Sequence, residues 1–420
     1  MSRKKLSVLL FLIAALIIAS IALWLSRKSI SQNLTEKAVA LLQEKKYKES
    51  LALFEKAHLW YGRSAEALLG MAQSDYYLTR YDVAMDNINN SIRIDSLVAD
   101  AYFYRGLIHL KLEEKPQAIT DFTHVLAMDS INAQAYYHRG VARAGLLDFK
   151  GSVEDYRKAM AMDAENIEAY LKSIEARSAL EDFKGAIGDY DKLLSIDLDN
   201  VDALANRGYL KLNIGDLDGA LADFNKALAL NPDHIDVVFN RGSVFARKGA
   251  FKEAVKDYSR AIDQKHKPAR AYYNRALAYM NLQRLQESAR DLGEVVKLEP
   301  QNADAYLTLG VVSSMNKDFR ASLPYYDKAI AIKPDMAYAY FNRGVSKGNL
   351  NLHAAAIPDF TKAIELRENY PEAYFSRAIS ELNLNQTDAA CKDLNKAKDL
   401  GYAGASELIS IHCGQVLSTR

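Results

Sequence analysis

The chain has 420 residues, 49% of them hydrophobic, with 25 tyrosines and only eight prolines, so it can bury a large core and carries no low-complexity tract. Its 54 basic and 53 acidic residues nearly cancel, which argues against nucleic acid as the main partner. The balance hides an asymmetry, because residues 1–28 hold five basic residues and no acid, leaving the remainder mildly acidic.

Those first 28 residues read as a basic tail and a transmembrane anchor. Arg3, Lys4 and Lys5 precede an uncharged run from Leu6 to Leu25, and Arg27 and Lys28 close it. Twenty residues at 1.5 Å each span about 30 Å, the thickness of a hydrocarbon core. Trp24 stands where an interfacial aromatic belongs. The alternative is a cleavable signal peptide with Ser20-Ile21-Ala22 as its small-x-small site, but the apolar run continues past Ala22. The basic residues on the two sides are close to a tie. A short basic tail before a large domain favours a cytoplasmic N-terminus and an exported repeat domain.

From about Ser31 to Gly404 one pattern recurs every 34 residues without insertion or deletion. Its eleven copies begin near Ser31, Ala65, Ala99, Ala133, Ile167, Val201, Ile235, Ala269, Ala303, Ala337 and Pro371. A fixed period of this size is the mark of a solenoid whose units contact mainly their neighbours. Each copy holds two runs with a 3.6-residue apolar period, joined by a short turn such as Asn213-Ile214-Gly215-Asp216. With Val201 as position 1, position 8 is Gly or Ala except at Ile174, and position 20 is Ala or Ser. Gly208 and Ala220 are expected to face each other and bring two antiparallel helices close. Pro232, Pro300 and Pro334 stop one hairpin, with Asn200 and Asn302 at the start of the next.

This pattern resembles the tetratricopeptide repeat, W-x2-L-G-x2-Y…A-x3-F…P over 34 residues, across about nine tenths of the chain. Tyr usually replaces the Trp, Arg stands where the family has Leu, and the Pro slot is filled three times. The resemblance implies an all-α, right-handed superhelical solenoid of antiparallel helix pairs whose concave face binds peptides.

Two irregularities interrupt the repeats. Ile174 should push its helix pair apart, and Gln264-Lys-His-Lys-Pro268 lacks the apolar residue that ends other second helices; each is either structural drift or a flexible joint or contact loop. Residues 405–420 read as a capping helix and tail. Cys391, early in the last second helix, and Cys413, at the end of the cap, fall at one edge. They are either a disulfide of an exported domain or two small buried hydrophobes.

Seven matched pairs share a spacing of sixteen: Arg105/Asp121, Arg139/Asp155, Arg207/Asp223, Arg241/Asp257, Arg275/Asp291, Arg343/Asp359 and Arg377/Asp393. Where the first member is Leu309 the second is Tyr325. The joint change points to contact within the repeat and an ion pair there, in preference to a row of arginines for a ligand.

At 100° per residue, positions 2, 5, 6, 9, 12 and 13 share one arc of the first helix. It carries Phe103, Tyr137, Phe239, Tyr273, Phe341 and Phe375 beside Asn206, Asn240, Asn274 and Asn342, with Asp202, Asp236 and Asp304 at the rim. Asn206, Asn240, Asn274, Asn342, Phe239, Tyr273 and Phe341 are the candidate partner-binding residues; packing between first helices is the alternative for the aromatics. The eight histidines form no metal-ligand spacing, and no nucleophile constellation or phosphate loop occurs, so neither catalysis, cofactor, metal nor small-molecule substrate is expected. The expectation is a membrane-tethered scaffold for a protein or peptide in a bacterial envelope. The alternatives are a cytosol-facing import or chaperone receptor, or an accessory subunit of an envelope enzyme complex.

Overall fold

The computed structural model describes residues 3–414, with side chains from residue 9 onward. The side chains of Arg3, Lys4, Lys5 and Leu6, and the tail after residue 414, lie outside the described residues. The chain divides into two units, Met1–Leu198 and Asp199–Arg420.

In the first unit the helices are α1 (Arg3–Gln43), α2 (Tyr47–Trp60), α3 (Ala65–Tyr77), α4 (Tyr81–Ile94), α5 (Ala99–Lys111), α6 (Lys115–Met128), α7 (Ala133–Ala144), α8 (Phe149–Met162), α9 (Ile167–Ala179) and α10 (Phe183–Ile196). The second holds α11 (Val201–Ile214), α12 (Leu217–Leu230), α13 (Ile235–Arg247), α14 (Phe251–Asp263), α15 (Pro268–Asn281), α16 (Leu285–Leu298), α17 (Ala303–Met315), α18 (Phe319–Ile332), α19 (Ala337–Asn349), α20 (His353–Leu366), α21 (Pro371–Asn383), α22 (Thr387–Asp399) and the short α23 (Ala405–His412). Each unit is a helical solenoid in which every helix packs on its sequence neighbours. First helices are capped by Asn132, Asn166, Asn200 and Asn302, whose side chains accept the N–H three residues on.

The N-terminal apolar run and the first repeat helix are continuous. α1 runs for 41 residues, and no linker separates the apolar run from Ser31, whose hydroxyl is already buried against the Ala57 carbonyl at 2.8 Å.

The small residues act through a ring. A Cβ at Gly208 would lie 2.7 Å from Phe224 Cε1, and one at Gly106 would lie 2.9 Å from Phe122. Position 8 is therefore small because the buried aromatic at position 24 sits on it. Position 20 meets the backbone of position 8, as the Ser50 hydroxyl shows by donating to the Ala38 carbonyl at 2.8 Å and Ser288 to Ala276 at 2.9 Å. Ile174 cannot admit a ring so closely, and α9 and α10 are the least closely packed pair within a repeat.

Candidate functional site

The seven Arg/Asp pairs are all brought together, side on and bidentate. Arg207 donates from Nε to Asp223 Oδ2 at 2.9 Å and from Nη2 to Oδ1 at 2.6 Å. Arg105, Arg139, Arg241, Arg275, Arg343 and Arg377 repeat this arrangement with Asp121, Asp155, Asp257, Asp291, Asp359 and Asp393. The acids are almost wholly buried, so planar two-point pairing is what keeps their charge tolerable. Leu309 and Tyr325, which replace the pair in their repeat, join one apolar cluster.

A third arm was not read from the sequence. Arg105, Arg139, Arg241, Arg275, Arg343 and Arg377 also extend Nη1 backward sixteen residues, to Asn89, Thr123, Asn225, Ser259, Asp327 and Thr361. Each guanidinium thus ties its own second helix to the one before. The signal was present, since the residue sixteen before Leu309 is Gly293 and the one before Ser173 is Arg157. In that last repeat the cation moves four residues on, and Arg177 Nε reaches Asp189 at 2.8 Å. The same place, position 11, supplies a second cation elsewhere, with Lys211 on Asp223 at 2.9 Å and Lys347 on Asp359 at 2.8 Å. The final repeat reverses the sign with Glu381. Burial, reinforced by the charge of Asp393 and opposed by Arg377, pushes this carboxyl up to about 7.

The first-helix arc forms a recess of about 410 Å³ within the second unit. α11 contributes Asp202, Asn206 and Tyr209; α13 contributes Asp236, Phe239 and Asn240; Lys267 and Arg270 come from the start of α15. The irregular segment Gln264–Pro268 closes one side. Lys265 and Lys267 adopt positive φ, 54° and 43°, a conformation that costs a non-glycine residue about 1–2 kcal/mol. The turn carries His266 Nε2 to 3.2 Å and Lys267 Nζ to 2.6 Å from Asp236. Hydrogen bonding from Lys267, with the charge of His266, holds the Asp236 carboxyl below its usual range. Gln264–Pro268 turns onto Asp236, and the rim is mixed in charge because Lys267 pairs with that acid.

Phe239 corrects the expectation of an exposed anchor. It is 2% exposed, with Tyr258 and His266 on its ring and the Lys267 and Arg270 cations 5.4 and 5.7 Å away, so it is the floor of the recess. The other arc aromatics also pack between neighbouring helices. The Tyr273 hydroxyl lies 3.3 Å from Thr308, Phe341 sits against Phe360 and Tyr370, and Phe375 against Tyr402. In the first unit Phe103 and Tyr137 flank His138, whose burial lowers its imidazole to about 4. The asparagines divide. Asn342 donates to its own helix at the Tyr338 carbonyl, and Asn274 stands beside the buried Tyr258. Asn206 and Asn240 line the recess with no side-chain hydrogen bond among the described residues.

At the far end Cys391 and Cys413 form a disulfide, joining α22 to the end of α23 with both residues buried.

Family models described as tetratricopeptide repeat match residues 201–234, 273–337 and 337–370, and one described as TPR repeat matches 242–283. These matches fall in the same 34-residue register as the helix pairs. Residues 201–234 and 242–370 are tetratricopeptide repeats. No curated protein matches this TPR chain in sequence. Among solved structures it is similar to a tetratricopeptide repeat protein from Parabacteroides merdae, at 21% identity over 59% of this chain and 99% of that one, with a TM-score of 0.46. It is also similar to the Cut9–Hcn1 hetero-tetramer of APC/C, at 15% identity over 91% and 96%, TM-score 0.42, and to YrrB, a TPR protein with an unusual peptide-binding site, at 20% over 44% and 95%, TM-score 0.40. At these identities the likeness concerns the fold alone. As a TPR array the chain is a protein–protein interaction scaffold, a fold that is typically non-catalytic.

Proposed function

We propose that this TPR protein is held in a membrane by α1 and binds an extended segment of a protein partner along the first-helix arc of α11, α13 and α15. The observation that carries the reading is the recess itself, where two unengaged asparagine amides, Asn206 and Asn240, stand over an apolar floor. An amide offers both a donor and an acceptor, so a pair of them can hold a peptide backbone whatever its side chains. The apolar run of α1 supports the tether, and the disulfide supports placing the repeats outside the cytoplasm, where such bonds persist.

The test places a photo-crosslinking residue at Tyr209, which is 48% exposed on the recess wall, and irradiates intact membranes. One dominant adduct is expected, lost in the Asn206→Ala/Asn240→Ala variant without change in helicity or melting. Asn274 is left intact because it supports Tyr258. An undiminished adduct in the double variant would exclude the recess as the site.

A further inference from the structure

We propose that the edge of the first three repeats from which α1 emerges rests in the lipid interface, with the end of α2 and the tips of the next two loops inserted beside the anchor. The inference deepens the tethered reading and rests on α1 spanning the bilayer.

The argument begins with connectivity. α1 leaves the repeats from the edge where first helices begin and second helices end, and it leaves without a break. That edge is therefore turned toward whatever surrounds the apolar run. Trp24 lies seven residues before Ser31, about 10 Å along the helix. The Tyr61 ring nevertheless meets it edge-on at a centroid distance of 6.0 Å. The loop after α2 thus descends to the level of the interfacial tryptophan, where Lys28 also lies over the Trp24 ring at 5.4 Å.

Charged residues such as Lys28, Glu66, Asp95 and Asp100 line this edge, but large apolar side chains also stand out from it. Leu59 is 83% exposed and Trp60 47% at the end of α2, Leu97 is 80% exposed in the next loop, and Ile131 is 74% exposed in the third. Single exposed apolar residues on a soluble protein mean little. These four share one edge, two at the end of α2 and one in each of the next two inter-repeat loops. Leu97 and Ile131 occupy position 33, which reads Arg63 in the first repeat and Glu165, Asp199, Asp233, Lys267, Gln301, Asp335, Asn369 and Ala403 in later ones. A requirement of the repeat itself would place apolar residues there throughout the array. Exposed apolar tips beside the anchor fit an acyl and headgroup boundary, and Trp is the side chain most suited to that layer; Leu198, 65% exposed after α10, lies further along the same edge.

The test uses the full chain with its disulfide intact, reconstituted in phosphatidylcholine vesicles. An environment-sensitive nitrobenzoxadiazole label goes on Ser96→Cys or Ser130→Cys, each beside but not at an inserting residue, and on Lys150→Cys at the opposite edge as control. In protein that floats with the vesicles, the labels at 96 and 130 should be quenched several-fold less by aqueous iodide than the label at 150. They should also be quenched by shallow spin-labelled lipid. Adding Leu97→Asp/Ile131→Asp should return both to the control value while flotation and helicity persist. Equal iodide access at 96, 130 and 150 in floated protein would overturn the edge proposal and leave the tether standing. Failure of the wild-type chain to float would overturn both.

Discussion

At the scale of single residues, the organising group is the buried aspartate at position 23. Asp291 is held by Arg275 through two bonds of 2.7 and 2.8 Å, and the same guanidinium reaches Ser259 at 2.8 Å. Arg275→Leu should therefore strand a buried charge and cost about 3–5 kcal/mol in urea unfolding followed by circular dichroism. Adding Asp291→Tyr recreates the Leu309/Tyr325 combination and should recover much of that loss. Arg207→Leu should cost less, because Lys211 remains 2.9 Å from Asp223. Glu381 makes a pH prediction. Its folded-state pKa of about 7 lies above its ordinary value, so its contribution to stability is full at low pH and is lost as pH rises through 7. Hydrogen exchange in α21 and α22 should accelerate between about pH 5 and 8 beyond the intrinsic rate, and Glu381→Gln should abolish that excess.

At the scale of helices, packing rather than propensity decides the small residues. Gly208→Ala adds helix propensity worth up to about 1 kcal/mol. The new methyl would meet the buried Phe224 ring, at an overpacking cost of about 1–3 kcal/mol. Melting should fall. Gly293→Ala is the control, since its Cβ would meet nothing within 4 Å, and melting should rise. The two glycines look alike in sequence, and only the position of the ring separates them.

At the scale of the whole molecule, the two chain ends carry the features that the repeats do not. The N-terminal end is a helix shared between the apolar run and the first repeat. The C-terminal end is α23, whose Ala405 and Cys413 close an apolar cluster with Leu394 and Ala397, pinned by the Cys391 link across 22 residues. Loop-closure entropy for that length amounts to about 3 kcal/mol. In a repeat array such a loss stays local. Cys413→Ser should speed exchange in α22 and α23 and leave α11 to α16 unchanged, which hydrogen-exchange mass spectrometry can resolve.

The 34-residue period, read with two helical runs and a small residue in each, was enough to specify antiparallel helix pairs, because periodicity and steric size are properties of the chain itself. The sixteen-residue Arg/Asp spacing was legible for the same reason: identical units place identical spacings at identical distances. What needed the tertiary structure was every fact that depends on which neighbour covers a side chain. The arc of the first helix followed from 100° per residue, but Phe239 lies on that arc and is still covered, because the loop before Pro268 folds Lys267 and His266 over it. Asn206 and Asn240 look like Asn274 and Asn342 in the repeat. They differ in which way the side chain turns, Asn342 back onto the Tyr338 carbonyl of its own helix and Asn274 toward the buried Tyr258. Helical continuity from the apolar run into the first repeat was likewise a matter of folding, for no Gly or Pro stands between Leu25 and Ser31 to break α1, and Ser31 is buried against Ala57.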